Sequence, residues 1–335
     1  MKITLRKYFF LYLGLMLSAA PMAVDAAPQK TQKQASFKQH KNSGKLKKAS
    51  YKAGKSKINA RIRANNAIAN ADHYDGTTPL KLASTKALVI NQLTGEVVYA
   101  KNTDAATPIA SVTKLMTAMV MLDAHLSLDE LLYIADEDVD YLKHTRSRLA
   151  VGTTLTRGEL LQLALMASEN RAASALSRHY PGGASAFVQD MNHKAQTLGM
   201  RATRFVDATG LDSGNVSTAE DLVKMVNAAY HYPEIRQVST LPSQEITLYG
   251  RQTPLNFVNT NALVRNDKWE IGLSKTGFIN EAGRCLVMQA EISGQPMIIV
   301  LLDSAGKMTR IGDANRVRKW IERNDAAPLG KHVSG

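Results

Sequence analysis

More than a hundred residues of helical periodicity lie between two strand-rich segments, and this interruption limits the folds open to the chain. Before it, residues 86–91 and 96–100 are apolar-rich runs around Leu93-Thr94-Gly95, the pattern of a β-hairpin. After it come apolar-rich runs over 244–248, 269–278, 285–291 and 297–303, the last two joined at Ser293-Gly294 as a second hairpin. Between them the spacing predicts helices over 128–135, 157–167, 171–179, 184–198 and 218–230. A final helix over 308–323 turns Val317, Trp320 and Ile321 inward. This order predicts an α/β domain in which a sheet carries an all-helical insert, with a cleft where the two meet. The expected boundaries are 80–325 for the folded domain, 80–127 and 240–325 for its sheet part, and 128–239 for the insert.

The border between the first hairpin and the helical run carries two misfits. In Ile109-Ala110-Ser111-Val112-Thr113-Lys114-Leu115-Met116-Thr117-Ala118-Met119-Val120, apolar residues repeat at helical spacing and wrap most of the cylinder, so burial is expected. Ser111 and Lys114 interrupt the pattern three residues apart, on one face and within reach of each other. A lysine is seldom buried. Loss of water disfavours its charged form and lowers its pKa from about 10.4, toward values at which the amine accepts a proton at neutral pH. The helix begins just after Thr107-Pro108, so unpaired N–H groups and the positive end of the dipole lie beside Ser111. These features describe an activated serine.

At the N-terminus, Lys2, Arg6 and Lys7 precede an apolar run over residues 8–20 and a small-residue site at Val24 and Ala26. This predicts a secretory signal peptide over 1–26. An uncleaved anchor is the other reading, disfavoured because the run falls short of the ~20 residues a span needs. The mature protein is expected in the periplasm, soluble or peripherally attached to the membrane. The formal net charge of +13 is concentrated just beyond the leader: twelve lysines and arginines and no acid lie between Pro28 and Arg63. The remainder is close to neutral, so the basic excess is no nucleic-acid footprint. Residues 27–79, poor in large apolar side chains, are expected to form a basic disordered linker, and 326–335 a disordered tail. The linker serves either as a solvated spacer or as an electrostatic contact with an anionic envelope surface. A single cysteine, Cys285, excludes an internal disulfide framework and reads as a buried thiol. No histidine spacing matches a metal motif, and neither metal nor cofactor is expected. Asp136, Glu137, Asp138 and Asp140 read as a solvated face.

A Ser-x-x-Lys spacing alone is weak evidence, and a second copy stands at Ser304-Ala305-Gly306-Lys307. That copy follows a strand and contains a glycine, so no helix aligns its side chains. The Ser111 copy has two companions: Ser168-Glu169-Asn170 after the apolar helix over 160–167, and Lys275-Thr276-Gly277 at the end of Ile271-Gly272-Leu273-Ser274. A rival triplet, Ser213-Gly214-Asn215, lies in a Gly-rich turn and is set aside. The trio matches that of class A β-lactamases and penicillin-binding proteins.

With Asn259-Thr260-Asn261, the chain from about residue 80 to 323 resembles the serine D-alanyl-D-alanine peptidases among the low-molecular-mass penicillin-binding proteins, and looks most like their endopeptidase branch. The resemblance implies an antiparallel sheet flanked by helices with an all-helical subdomain. It makes Ser111 the nucleophile, Lys114 its general base, Ser168 a proton relay and Asn170 an orienting group. Lys275 and Thr276, with Gly277, bind the substrate carboxylate, and the backbone N–H groups of Ser111 and Phe278 form the oxyanion hole. The implied reaction is hydrolysis of D-Ala–meso-diaminopimelate cross-links in peptidoglycan, a step of wall biogenesis and cell shape, with β-lactams trapping Ser111. A D,D-carboxypeptidase is the alternative. It is disfavoured because such relatives usually carry a second β-rich domain and an amphipathic C-terminal helix, whereas about a dozen residues follow the last expected helix. A β-lactamase ranks lower, since Asp207, the nearest acid, lies in a peptidase-like context. A non-catalytic wall-binding protein is the remaining alternative.

Overall fold

Met297-Ile298-Ile299-Val300-Leu301-Leu302 has no polar residue to turn toward water, and it lies at the centre of a sheet covered on both faces. The computed structural model describes residues 79–248 and 254–326. The expected signal peptide, the expected linker up to residue 78 and the expected tail beyond Ala326 lie outside them. Five strands, β1 (Lys86–Asn91), β2 (Val97–Lys101), β3 (Glu270–Ile279), β4 (Gly283–Ile292) and β5 (Gln295–Ser304), form an antiparallel sheet in the order β2-β1-β5-β4-β3. β4 and β5 pair through Ser293-Gly294, where both residues have positive φ.

Among the described residues seven α-helices follow one another: α1 (Lys114–Asp123), α2 (Arg157–Gln162), α3 (Asn170–Arg178), α4 (Gly183–Thr197), α5 (Ala219–Tyr230), α6 (Pro233–Ser239) and α7 (Thr309–Ala326). The period of two along each strand sorts its side chains between two cores. Ala87, Val89, Leu286, Met288, Ile299 and Leu301 pack with Ala314, Val317 and Ile321 of α7. Leu88, Cys285, Val287, Ile298 and Val300 join the larger core built by α1 to α6. The helices α5 and α6 pack on the sheet itself. Local signals set the helix starts: Thr156 and Glu159 form a capping box at α2, and Thr218 accepts from Asp221 N at α5.

Two expectations need correction. Residues 128–135 do not form a helix; Leu131–Tyr133 is a strand paired with Thr154–Thr156. Only Leu132 of the three is buried while Leu131 and Tyr133 are exposed, which is the alternation of a ribbon with one covered face. The acidic run is a solvated face only at Asp136 and Glu137, which are exposed, and not at Asp138 and Asp140. Asp138 is buried and bonds Arg178, Ser174 and the Ala135 N–H, and Asp140 accepts from three backbone N–H groups and the Thr145 hydroxyl. Both carboxylates organise the loop that leads toward the site.

One buried carboxylate joins the start of the domain to its last helix. Asp313 accepts from Ala83 N at 3.0 Å, from Ser84 N at 2.7 Å and from the Ser84 hydroxyl at 2.5 Å, and pairs with Arg316. Asp313→Ala leaves those donors without a partner and is expected to lower stability by about 3 kcal/mol, measured as a shift of the urea midpoint at unchanged m-value.

Candidate active site

Ser111 sits in a 3₁₀ turn, Ala110–Thr113, that feeds directly into α1. In a 3₁₀ turn residues three apart eclipse, which places the Ser111 and Lys114 side chains one above the other. Ala110 takes φ +49°, a left-handed conformation that an alanine adopts at a cost of about 1 kcal/mol. Two glycines hold it there. A Cβ on Gly210 would meet Ala110 O at 1.9 Å, and one on Gly277 would meet Ser111 N at 3.0 Å, so any larger residue at either position displaces the nucleophile's backbone.

Lys114 is fully buried. Its Nζ lies 2.8 Å from Ser111 Oγ, 2.7 Å from Asn170 Oδ1 and 2.7 Å from the Thr209 carbonyl. Burial lowers its pKa to about 7, with the charges of Asp207 and Glu169 opposing the shift. A neutral amine has two N–H groups and one lone pair. Asn170 and Thr209 accept the two N–H groups, and the lone pair is left facing the Ser111 hydroxyl. Asp207 accepts from the backbone N–H groups of Thr209, Gly210 and Asp212, so its carboxylate shapes the loop carrying Gly210.

Ser168 ends a π-helical turn, Leu163–Ala167, and has φ +60°. Such turns displace one residue from the helical ladder and recur at functional sites. The carbonyl of Met166 accepts from Thr260 N, and Ser168 Oγ lies 2.8 Å from the Nζ of Lys275. Lys275, buried on β3, also donates to the Thr276 carbonyl. Burial, then the charges of Lys114 and Arg310, hold its pKa well below the ordinary lysine range.

β3 is one edge of the sheet, β2 being the other. Ser274 N donates sideways to Ser239 Oγ, away from β4, and from Ser274 onward the pairing with β4 is regular. By the two-residue period, the N–H groups of Thr276 and Phe278 point to the same outer edge. The Phe278 N–H is therefore open to the cleft, and the Ser111 N–H begins a helical turn with no partner inside it.

Ser111, Lys114 and Asn170 are brought together by direct contacts, and Ser168 and Lys275 by another, with Gly277 packed against Ser111. The Thr276 hydroxyl donates to Thr260 Oγ1. The competing motifs are structural. Ser304 bonds Ser84, and buried Asn215 ties Thr113 to the Asp207 loop. Cys285 is buried and its thiol pushed up to about 11, as expected of an inert thiol. Sequence reasoning missed Arg310, which donates to the Gly277 carbonyl from the start of α7. It also missed the loop over 140–147. Thr145 accepts from Asn170 Nδ2, Ser147 donates to Glu169, and Lys143 reaches Glu281 at 2.5 Å in the turn between β3 and β4. Glu169 thus anchors this loop beside the site.

A family model described as D-alanyl-D-alanine carboxypeptidase matches residues 72–306. The D-alanyl-D-alanine endopeptidase of Pseudomonas aeruginosa is 50% identical over 249 residues, covering 74% of this chain and 80% of the relative. That of Escherichia coli is 47% identical over 249 residues, with the same coverage. Among solved structures, a penicillin-binding protein of Listeria monocytogenes in its ampicillin-bound form superposes with a TM-score of 0.62 at 31% identity, over 73% of this chain and 99% of that one. By motif, fold and these matches, the chain belongs to the D-alanyl-D-alanine carboxypeptidase family of serine peptidases.

Proposed function

We propose that the protein is a periplasmic serine D-alanyl-D-alanine endopeptidase that hydrolyses D-Ala–meso-diaminopimelate cross-links of peptidoglycan through an acyl-enzyme on Ser111. The observation that carries this reading is the buried Lys114 amine, 2.8 Å from Ser111 Oγ with a pKa of about 7. The relatives at about half identity support the endopeptidase choice. The family description supports a carboxypeptidase as the second reading.

Lys114 takes the Ser111 proton as Oγ adds to the D-alanyl carbonyl carbon. The carbonyl oxygen becomes an oxyanion between the N–H groups of Ser111 and Phe278. The proton held by Lys114 reaches the leaving amine through Ser168, the C–N bond breaks, and the diaminopimelate amine departs. Lys275, Thr276 and Gly277 line the place of the carboxylate beside the scissile bond, and Arg310 adds positive charge there. Water then attacks the ester with Lys114 again as base, which frees the D-alanine carboxylate and restores Ser111. A β-lactam enters the same sequence, but its ring nitrogen stays tethered to the acyl group and obstructs the water step.

Digestion of purified cross-linked muropeptide dimers, followed by mass analysis, is expected to yield monomers; intact dimers with release of terminal D-alanine would instead assign the carboxypeptidase. Ser111→Ala should lower dimer cleavage about a millionfold, the loss seen for serine nucleophiles elsewhere. Because the free amine is the base, penicillin acylation should rise about tenfold per pH unit below 7 and level off above it, measured by stopped flow. Lys114→Arg keeps its proton throughout that range and should acylate at no pH. The basic segment is assigned to envelope attachment: deleting residues 28–70 should release the protein from envelope fractions that hold the intact chain at low salt.

A further inference from the structure

Beside the site stand two neighbouring cations, Arg284 and Arg310, neither of which has an ion pair among the described residues. Arg284 opens β4 in register with Phe278 on β3, and its guanidinium carbon lies 4.3 Å from the centre of the Phe278 ring. Phe278 is 49% exposed, although its neighbours Lys275, Thr276 and Gly277 are buried. Among the described residues the Arg284 side chain has neither hydrogen bond nor ion pair, and its Nε is buried without a partner. Arg310 is the adjacent cation. Burial and then the charge of Arg284 hold its pKa below the ordinary arginine value, and its own charge acts in the same direction on Lys275. Glu281, in the turn between the two strands, is already taken by Lys143.

Uncompensated like charges oppose the compact state, and they focus a positive potential on the cleft they line. The Arg284 guanidinium lies over the Phe278 ring and makes no hydrogen bond among the described residues, which leaves its terminal N–H groups for the oxygens of a carboxylate. By strand alternation Arg284, Phe278 and Thr276 share one face of the sheet. Thr276 belongs to the carboxylate beside the scissile bond, which is part of the leaving group, so this face lies on the leaving-group side. A departing D-alanine has that one carboxylate; a departing diaminopimelate stem peptide has others.

On the reading of the site given above, we infer that Arg284, propped on Phe278, binds a second carboxylate of the leaving-group peptide and so favours cross-links over chain ends. Arg284 meets Phe278 through its ring and not through the N–H that serves as oxyanion donor, so its effect is expected on substrates that carry the second acid.

The test compares wild type, Arg284→Gln and Arg284→Lys on three reactions: cleavage of a cross-linked dimer, cleavage of the same dimer with the further carboxylates of the leaving stem amidated, and acylation by benzylpenicillin. Arg284→Gln is expected to raise KM for the unmodified dimer about tenfold, the loss of one charge-assisted pair, with kcat nearly unchanged. Arg284→Lys should recover part of that loss. The amidated dimer should be a poorer substrate for wild type and should not distinguish it from Arg284→Gln. Penicillin acylation should stay within about twofold, which also reports that the variant is folded. An unchanged KM for the unmodified dimer overturns the role of Arg284 alone. A parallel fall in penicillin acylation overturns it in favour of a general effect on the fold. If wild type acylates with penicillin yet leaves dimers uncut, the endopeptidase reading fails, and this inference with it.

Discussion

The backbone of Ala110 and Ser111 is clamped between Gly210 and Gly277, and the rest of the molecule is arranged to bring those two glycines together. One comes from the loop between α4 and α5, the other from the edge strand of the sheet. The loop is shaped by Asp207 and by buried Asn215, and the strand is fixed by its register with β4. The left-handed Ala110 is a local strain that persists only because both sides over-determine it. The nucleophile is thus positioned by main-chain contact, which varies less than side-chain contact.

The chemistry depends on a second cost, the burial of two lysines. Lys114 titrates near 7 in the folded protein and near 10.5 when solvated, so the native state gives up a proton that the unfolded chain keeps. That residue works against stability at neutral pH, less so as pH rises toward 10.5. The apolar sheet, covered on both faces, offsets it. A polar cluster set into a large dry core is how a serine hydroxyl meets a free amine at neutral pH.

Much of this was legible in the sequence, for reasons that differ by element. The strands of the sheet announce themselves by unbroken apolar runs and a Ser-Gly turn, and Ser111 and Lys114 by polarity within a helical pattern. The ribbon at Leu131–Tyr133 was hidden because three residues are too few to show a period. Burial of Asp138 depends on Arg178, forty residues away, and no local pattern links them. Likewise the loop over 140–147 is defined by partners at Glu169, Asn170 and Glu281 that only the folded chain brings near. The left-handed turns at Ala110 and Ser168 follow from packing around residues that have no intrinsic preference for them.

The ion pair between Lys143 and Glu281 ties this loop to the turn after β3, and both side chains are partly exposed. An exposed pair of that kind contributes little, so thermal motion parts it often. Salt screens such a pair, so the fastening of this loop to the turn is one that ionic strength loosens.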